Sequence, residues 1–297
     1  MKNIKFLICT GIAASALAAC SDEAPDSALT VTVVDTECKA GVPVCFKIDG
    51  KADNIVFYSG EPGHEYSLRD RQYADNDFMV DFVSYTDQST GVHPNFQVLV
   101  SSDFNGIYDP ENVAAATWTD VTGLFTLPSV TGQNTPSGAV NLKEYAGYDN
   151  EALVYLAFRY FDLEGNPQKN RWVVRSINMT KVSPEGNSSR IADIKTAGWQ
   201  NVIMSGSGKW TLPGSQLLAA GNVSTSDKDM WAVSAGFNIH TSEPSTGIVL
   251  KNIATDLSEY YYTYAEAGVY EAVFASSSVW YNSENSSTTT VKVTVTE

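Results

Sequence analysis

The sequence predicts an all-β protein made of β-sandwiches. Short segments in which β-branched or apolar residues alternate with polar ones recur along the chain, and Gly, Pro, Asn and Asp separate them. No segment keeps an i, i+3, i+4 apolar pattern beyond about two turns, so no helix is expected. Many short strands at regular spacing are typical of sandwiches and jelly rolls.

Each predicted strand corresponds to one of these alternating segments. The strands are expected at residues 29–33, 42–48, 55–58, 78–85, 96–100, 154–160, 172–177, 260–264, 269–274 and 291–295. In the last of them Val291, Val293 and Val295 share one face, while Lys292 and Thr294 share the other. That alternation indicates an antiparallel strand that is buried on one side.

The composition is that of an acidic globular protein. Of the 297 residues, 43% are hydrophobic and 11% are aromatic, whereas a disordered chain would have fewer aromatic and more charged residues. The length allows one large domain or two of ordinary size. Acidic residues outnumber basic ones by 34 to 19, which argues against nucleic acid as a partner, because phosphate binding requires clustered Lys and Arg.

The N-terminal sequence predicts where the protein is located in the cell. A positively charged beginning precedes an apolar run that is too short to span a bilayer as a stable helix. The run ends with LAAC at 17–20, which resembles the bacterial lipobox. Residues 1–19 are therefore predicted to be a lipoprotein signal peptide, with Cys20 as the lipidated residue and 20–29 as an acidic flexible tether. The alternative is an ordinary secretory signal in which Cys20 has no role.

The remaining cysteines predict a disulfide. Cys9 is removed with the signal peptide and Cys20 carries lipid, which leaves Cys38 and Cys45. In an oxidising compartment an even pair of cysteines is most simply explained by a disulfide. A metal or redox pair is the lower-ranked alternative, because no His or third thiol stands near them in the sequence.

Both ends of the folded chain resemble an Ig-like module. The segments VPVCFKI at 42–48 and IVFYSGEPGHEY at 55–66 resemble the front half of a polycystic-kidney-disease (PKD) domain. They are also similar to the opening of a domain in Bacteroidota outer-surface lipoproteins from polysaccharide-utilisation loci. The segment YTYAEAGVYEAVF at 262–274, followed by the strand at 291–295, resembles the matching back half. The resemblance implies an Ig/PKD-like sandwich built from both ends of the chain.

The middle of the chain resembles a galactose-binding-type jelly roll. The resemblance is carried by FQVLVSSDFNG at 96–106, ATWTD at 116–120, VYLAFRY at 154–160 and WVV at 172–174. The segment DMWAVS at 229–234 resembles the strand that normally opens such a jelly roll, but here it follows the other segments.

These two resemblances predict an inserted domain. The jelly roll is expected at 76–255, inside an Ig/PKD-like sandwich formed by 30–75 with 256–297. Close chain termini make such an insertion feasible. A linear arrangement of three domains is the alternative.

Motifs for catalysis are missing from the sequence, which therefore predicts a non-enzyme. There is no Gly-x-Ser-x-Gly elbow, P-loop or dinucleotide fingerprint, and the three histidines do not have metalloprotease spacing. His64 is expected in a local turn, and His93 and His240 at the surface. A glycosidase needs two carboxylates about 5–10 Å apart, but with 34 acidic residues some pair meets this condition by chance.

Three aspartates are weak candidates for a metal site. Asp103, Asp109 and Asp120 flank a loop at which relatives with a jelly roll hold structural Ca²⁺ through oxygen ligands. The preferred interpretation is that they cap turns. No cofactor is therefore required, and Ca²⁺ is the one ion that the resemblance implies.

Aromatic residues in polar segments are the candidates for carbohydrate binding, because sugars stack their apolar faces on Trp and Tyr rings. Trp280 and Tyr281 lie in a polar segment, 276–286, that is predicted to be a loop between two strands. Folding back over the end of the sandwich is their alternative role. Trp210 and Tyr148 are weaker candidates of the same kind. The other prominent aromatics are assigned to the cores: Trp118, Trp172, Trp231, Tyr262, Tyr264 and Tyr270.

As a whole, the chain resembles surface glycan-binding lipoproteins of Bacteroidota with a SusE/SusF-like position in polysaccharide-utilisation loci. The resemblance implies a lipid-anchored outer-membrane protein, exposed at the cell surface, that binds polysaccharide or oligosaccharide without catalysis. A SusC/SusD-like outer-membrane complex would be its partner, and the lipid anchor would be its sole contact with the membrane. Two alternatives are an adhesin or structural scaffold that binds a protein partner and, ranked lower, a glycoside hydrolase.

Overall fold

The computed structural model describes residues 23–35, 37–88, 91–162, 170–212, 214–220 and 227–297. The prediction of an all-β protein is confirmed, since strands dominate the described residues and their sheets pack as sandwiches. In this part of the chain, no helix has both the length and the apolar character needed to cross a membrane.

The chain forms two compact units. The terminal unit combines residues up to Arg69 with Thr246–Glu297, and the central unit is Asp70–Ser245. The central unit lies between the two segments of the terminal unit in the sequence, which is the inserted arrangement that we expected. The boundaries lie at 69/70 and 245/246 rather than at 75/76 and 255/256.

The elements are numbered in chain order. The first segment of the terminal unit contains β1 (Leu29–Val33), β2 (Cys38–Lys39), β3 (Pro43–Gly50) and β4 (Asn54–Tyr58). The central unit contains β5 (Asp77–Asp87), β6 (Phe96–Ser101), α1 (Pro110–Ala115), β7 (Thr119–Asp120), β8 (Thr135–Pro136), β9 (Val140–Asn141), β10 (Tyr155–Phe161), β11 (Arg171–Val182), β12 (Ser188–Asp193), β13 (Gln200–Ser205), β14 (Trp210–Thr211), β15 (Leu217–Ala220) and β16 (Asp229–Val233). The last segment contains β17 (Ile248–Lys251), β18 (Glu259–Thr263), β19 (Gly268–Trp280) and β20 (Ser283–Thr296). Short 3₁₀ helices lie at Tyr66–Leu68, Thr122–Leu124 and Lys143–Tyr145.

The terminal unit is a sandwich of two sheets. One sheet has the strand order β1-β3-β18, and the other has the order β17-β4-β19-β20-β2, with β2 and β20 as the parallel pair. Alternate residues of these strands face inward, where the rings of Phe46, Phe57 and Phe274 lie 5.0–5.6 Å apart. Tyr264 is fully buried beside them, and its hydroxyl donates to the carbonyl of Ser59 at 3.2 Å.

The hairpin of β19 and β20 corrects the loop predicted for residues 276–286. The two strands pair without a break from Gly268 to Trp280, and a two-residue turn at 281–282 connects them. Serines of this segment are accommodated in the strands, and the hydroxyl groups of Ser276, Ser277 and Ser283 have hydrogen-bond partners. Ser276 is buried, and its Oγ donates to the carbonyl of Ser27 at 2.6 Å.

The N-terminal segment corrects the predicted flexible tether. Ala24 and Ser27 are buried, so residues 24–29 are part of the folded unit. The backbone N–H of Ala24 donates to Ser283 Oγ at 2.5 Å, and Asn285 Nδ2 donates to the carbonyl of Ala24 at 2.9 Å. Cys20, the predicted lipidation residue, and the signal peptide lie outside the described residues.

The central unit is a second sandwich. Its sheets have the strand orders β13-β16-β10-β6-β7 and β14-β15-β11-β5-β8, with β12 paired to β11 and β9 paired to β5. Aromatic residues fill the space between them, and the rings of Phe96 and Trp172 stack at 4.5 Å. Five of the six tryptophans of the chain belong to this unit.

A short helix covers the outer face of the β6-β10-β16 sheet. Val113 of α1 packs with Leu99, Tyr155 and Trp231 in a smaller apolar cluster. The helix was not expected, because at six residues it is too short for a periodic pattern. Its start nevertheless has a local cause: Pro occupies the first turn, and Asp109 Oδ1 accepts a backbone N–H of that turn at 2.8 Å.

A buried polar network lies within the central core. Asn95 and Asn170, both fully buried, exchange hydrogen bonds of 2.9 and 3.1 Å between their side-chain amides. Asn95 Oδ1 also accepts the indole N–H of Trp172 at 2.9 Å, and the Tyr160 hydroxyl donates to the carbonyl of Asn170 at 3.1 Å. A network of this kind is costly to break, because each orphaned group stays buried without water.

We expect Asn95→Ala to destabilise the central unit by roughly 3 kcal/mol, since it leaves the indole of Trp172 and the amide of Asn170 without this partner. The free energy of unfolding is measured by denaturant titration with tryptophan fluorescence, which reports mainly on the central unit. The matched control is Asn187→Ala at an exposed position, which should change stability by less than about 0.5 kcal/mol. Equal effects of the two substitutions would contradict this role of Asn95.

Candidate binding site in the central unit

A cavity of about 650 Å³ opens on the central unit. This volume lies within the range of about 300–1,000 Å³ that is usual for small-molecule sites. The lining combines aromatic, amide and charged groups, chiefly Tyr73, Asn141, Lys143, Tyr148, Asn150 and His240. These residues come from the start, the middle and the end of the unit, so folding is needed to assemble them.

One wall is built at the end of β9. Asn141 Oδ1 accepts the backbone N–H of Phe78 at 3.2 Å and that of Lys143 at 3.1 Å, which starts the 3₁₀ helix at Lys143–Tyr145. The ammonium of Lys143 lies 2.7 Å from Asp75 Oδ2 and also donates to the Asp75 carbonyl at 3.1 Å. These bonds hold the polar groups of this wall in place.

Tyr148 presents its ring to solvent at the cavity. Its side chain is 95% exposed, which is unusual for a large aromatic residue. Gly147 before it has φ of 82°, and a Cβ there would lie 3.2 Å from the Cβ of Ala152. The following turn is closed by Asp149, whose Oδ1 accepts the N–H of Glu151 at 3.0 Å. The backbone on both sides of Tyr148 is thus constrained, whereas its ring is free to receive a ligand.

His240 supplies a buried polar atom without a partner. Its side chain is only 8% exposed, and Nε2 makes no hydrogen bond to the described part of the chain. The backbone is fixed, because the His240 N–H donates to Asn238 Oδ1 and its carbonyl accepts from Ala74 N–H, both at 2.8 Å. An orphaned buried polar group costs roughly 1–3 kcal/mol, so a ligand hydroxyl or a water that meets Nε2 is favoured. The prediction that His240 is a surface residue is wrong.

Tyr73 adds a hydroxyl group to the lining. It donates a hydrogen bond to Glu151 Oε1, and this bond together with the charge of Glu151 raises the pKa of Tyr73. The hydroxyl therefore stays protonated at physiological pH. Of the charged lining residues, Asp75 and Glu144 are acidic and Lys143 is basic, so the lining has no excess of positive charge for binding an anion.

The four aromatic residues predicted to bind carbohydrate lie at three different places in the structure. Tyr148 lies at the cavity, as described above. Trp280 and Tyr281 lie at the β19–β20 turn of the terminal unit, 55% and 93% exposed. Trp210 is buried in the central core, and its indole N–H donates to the carbonyl of Met230 at 2.9 Å. The assignment of Trp210 to binding is therefore wrong, because its ring and its N–H are both used by the fold.

Four of the six aromatics that were assigned to the cores pack there. Trp172 and Tyr264 are buried in the two sandwich cores, and Tyr262 and Tyr270 pack against the core of the terminal unit. Trp231 is buried and Trp118 is partly buried in the separate apolar cluster under α1, outside the sandwich core.

The predicted disulfide is absent, and the two cysteines are free and buried. On β3, Val44 and Phe46 face the sandwich core, whereas Cys45 between them points to the opposite face, beside its cross-strand neighbour Tyr261. Cys38 belongs to the core itself. The two thiols are therefore on different sides of a sheet, which explains why short spacing along the chain does not bring them into bonding distance.

Two of the three candidate metal ligands, Asp109 and Asp120, act as local caps, as in the preferred interpretation, whereas Asp103 binds a segment farther along the chain. Asp109 caps α1, and Asp120 Oδ1 accepts the N–H two residues later at 2.9 Å. Asp103 Oδ1 accepts the N–H of Thr117 at 2.8 Å. Burial opposes ionisation of Asp103, but hydrogen bonds from Thr117 and Ser101 outweigh it and lower the pKa of its carboxyl group. No group of three or more His, Cys, Asp or Glu suited to a metal occurs among the described residues.

Sequence reasoning found Tyr148 but missed the residues that surround it. Asn141, Lys143 and Tyr73 belong to no motif, and their proximity follows from the pairing of β9 with β5 and from the course of the chain before β5. A weak signal existed at Asn238-x-His240, where an Asn side chain two residues before a His can hold its backbone in a turn.

Comparison with known proteins gives one match. A family model described as a domain of unknown function (DUF5017) matches residues 18–199, which is more than half of the chain. The match covers the first segment of the terminal unit and part of the central unit. No curated protein and no solved structure matches the chain.

The free state of the cysteines predicts a specific thiol count. In the chain lacking residues 1–20, we expect two thiols to react with a thiol reagent under non-reducing denaturing conditions. Both should react slowly in the native state, because both are buried, and burial also raises the pKa of Cys38. The denatured Cys38→Ser variant, as the control, should give one thiol. A count of zero for the denatured unsubstituted chain would show a disulfide and contradict the structure.

Proposed function

The chain belongs to the DUF5017 family, and we propose that it is a lipid-anchored outer-surface protein that binds polysaccharide or oligosaccharide without cleaving it. The cavity of the central unit is its glycan-binding site. The observation that carries this proposal is the combination, in the lining of one cavity, of the exposed ring of Tyr148 with buried His240, whose Nε2 has no hydrogen-bond partner among the described residues.

The lining matches what a sugar requires. A pyranose ring has apolar faces that stack on an aromatic ring and a rim of hydroxyl groups that need donors and acceptors. Tyr148 offers the ring, and Asn141, Asn150 and His240 offer polar groups around it. Because no positive charge is in excess, the lining favours a neutral saccharide over a uronate or a sulfated sugar.

Two further observations support an anchored protein that binds a glycan rather than cleaves it. A glycosidase needs one carboxyl group with a free proton and a second one as base or nucleophile. In the lining, the carboxylate of Asp75 is engaged by the ammonium of Lys143 at 2.7 Å. The signal-like start with LAAC at 17–20 supports an anchored location, from which many weak sites would hold one long glycan by avidity.

The test is affinity electrophoresis of the chain lacking residues 1–20 in gels that contain single polysaccharides of plant, algal or host origin. We expect one polysaccharide to retard the chain and to remain undegraded. Tyr148→Ala should weaken binding of that glycan at least about fivefold, equivalent to about 1 kcal/mol, since it removes the stacking surface. Tyr281→Ala, a matched exposed tyrosine in the terminal unit, should leave retardation unchanged.

Other outcomes would overturn the proposal. Retardation by no member of a broad panel would favour an adhesin or scaffold that binds protein. A cleared zone in the gel would reveal a glycoside hydrolase. Loss of binding in Tyr281→Ala but not in Tyr148→Ala would move the site to the β19–β20 turn.

A further inference from the structure

The β19–β20 turn presents three consecutive exposed apolar residues, called the hairpin tip below: Val279, Trp280 and Tyr281. Their side chains are 51%, 55% and 93% exposed. The backbone of the tip is already paired, since Val279 lies opposite Glu284 and Trp280 opposite Ser283. These side chains can therefore be buried against a partner without breaking the backbone hydrogen bonds between β19 and β20.

The start of the folded chain is fastened beside this tip. Ala24 donates its N–H to Ser283 Oγ at 2.5 Å, and Asn285 Nδ2 donates to the carbonyls of Ala24 and Pro25 at 2.9 and 3.3 Å. Ser283 is two residues from Tyr281 along the turn. Ala24 is itself 93% buried, with a relative exposure of 7%, so this end of the segment is held by packing as well as by hydrogen bonds.

The covalent chain limits how far the tip can lie from Cys20. Ala24 is four positions after Cys20, and at 3.3–3.6 Å per residue this stretch of chain spans at most about 14 Å, whatever its conformation. From Ser283 to Tyr281 the backbone adds about 7 Å by the same measure. If all of residues 20–29 formed a flexible tether, Cys20 could lie more than twice this limit of about 14 Å from the folded unit.

We propose that the hairpin tip rests on the lipid surface that holds the acyl chains of Cys20, with the rings of Trp280 and Tyr281 in the interfacial layer. This inference rests on the lipidation of Cys20 within the proposed function. Trp and Tyr suit this layer, because their rings are apolar and the indole N–H and phenol hydroxyl remain hydrated. The lipid and the aromatic tip together form two attachment points that fix the orientation of the terminal unit on the membrane.

Charge selects the kind of lipid surface. The chain has a formal net charge of −15, and Glu284 stands opposite Val279 at the tip. Anionic headgroups would repel this region, so the tip is suited to a surface of zwitterionic or uncharged headgroups. The rings of Trp280 and Tyr281 set how deeply the hairpin tip enters the lipid layer, because residues 279–285 include no basic side chain that could bind a lipid phosphate.

The experiment uses the full chain purified from bacterial membranes and reconstituted in phosphatidylcholine vesicles that contain a lipid with a quencher near the headgroup. Trp280 is the sole tryptophan of the terminal unit, so the difference between the fluorescence of the unsubstituted chain and that of Trp280→Phe reports on the tip. We expect the quencher lipid to reduce this difference signal. The Tyr281→Ser variant should lose part of the quenching, whereas Tyr261→Ser, at an exposed tyrosine on β18 outside the tip, should retain all of it.

Three results would overturn the inference. Vesicle-bound chain with an unquenched Trp280 would show that the tip faces away from the lipid. Shielding of Trp280 by polysaccharide in place of lipid would make the tip a glycan site. Failure of the chain to join vesicles would show that Cys20 is not lipidated. Because glycan binding is measured on the chain lacking residues 1–20, these failures are distinguishable from a failure of the proposed glycan-binding function.

Discussion

The binding site depends on one hydrogen-bonded contact within the central unit. It joins residues 70–76, called the entry segment, to residues 238–245, called the exit segment. The N–H of Ala74 donates to the carbonyl of His240, and the N–H of Ser242 donates to the carbonyl of Gln72, both at 2.8 Å. Buried Asn76 reinforces the contact through its Nδ2, which donates to the backbone carbonyl just before His240 at 2.7 Å. The same contact closes the unit, so that its two ends meet, as an inserted domain requires.

The site follows from this closure. The exit segment places His240 in the lining of the cavity, with no partner for its Nε2 among the described residues, while the entry segment contributes Tyr73 and Asp75. The loop after β9 adds Tyr148 from the middle of the chain. Because the backbone of each contributor is fixed by hydrogen bonds, the polar groups need little ordering when a ligand binds, which preserves affinity. An acidic protein whose central cavity has no excess of positive charge in its lining is suited to uncharged, hydroxyl-rich ligands, and this property connects composition to the proposed substrate class.

The sequence predicted the strands well and the surfaces poorly. Each of the ten strands predicted from alternation is present, because one-sided burial enforces a period of two residues, but alternation missed β12, β13, β15 and β17. It failed at the serines of 276–286, where partners for the hydroxyl groups are supplied by residues far away in the chain, such as Ser27. It failed also at Cys38 and Cys45, since spacing along a chain does not state on which face of a sheet a side chain lies.

The same reasoning explains the outcome at the candidate site. Tyr148 was found because a large aromatic in a polar turn is visible in the sequence. Trp210 has a similar local context, but long-range packing against the central core buries it. His240 was taken for a surface residue, since the entry segment that covers it lies far earlier in the chain. Local patterns thus identify side chains of suitable chemistry, and tertiary contacts decide which of them are available to a ligand.

The most direct test of the central claim is the nitrogen NMR spectrum of the histidine side chains during titration with a glycan that the chain binds. With three histidines in the sequence, the resonance of each can be assigned by substitution. We expect the Nε2 resonance of His240 to shift as this atom gains a hydrogen-bond partner, in proportion to occupancy, while the resonances of His64 and His93 stay unchanged. A saturated complex in which the His240 resonance does not move would contradict the placement of the glycan in this cavity.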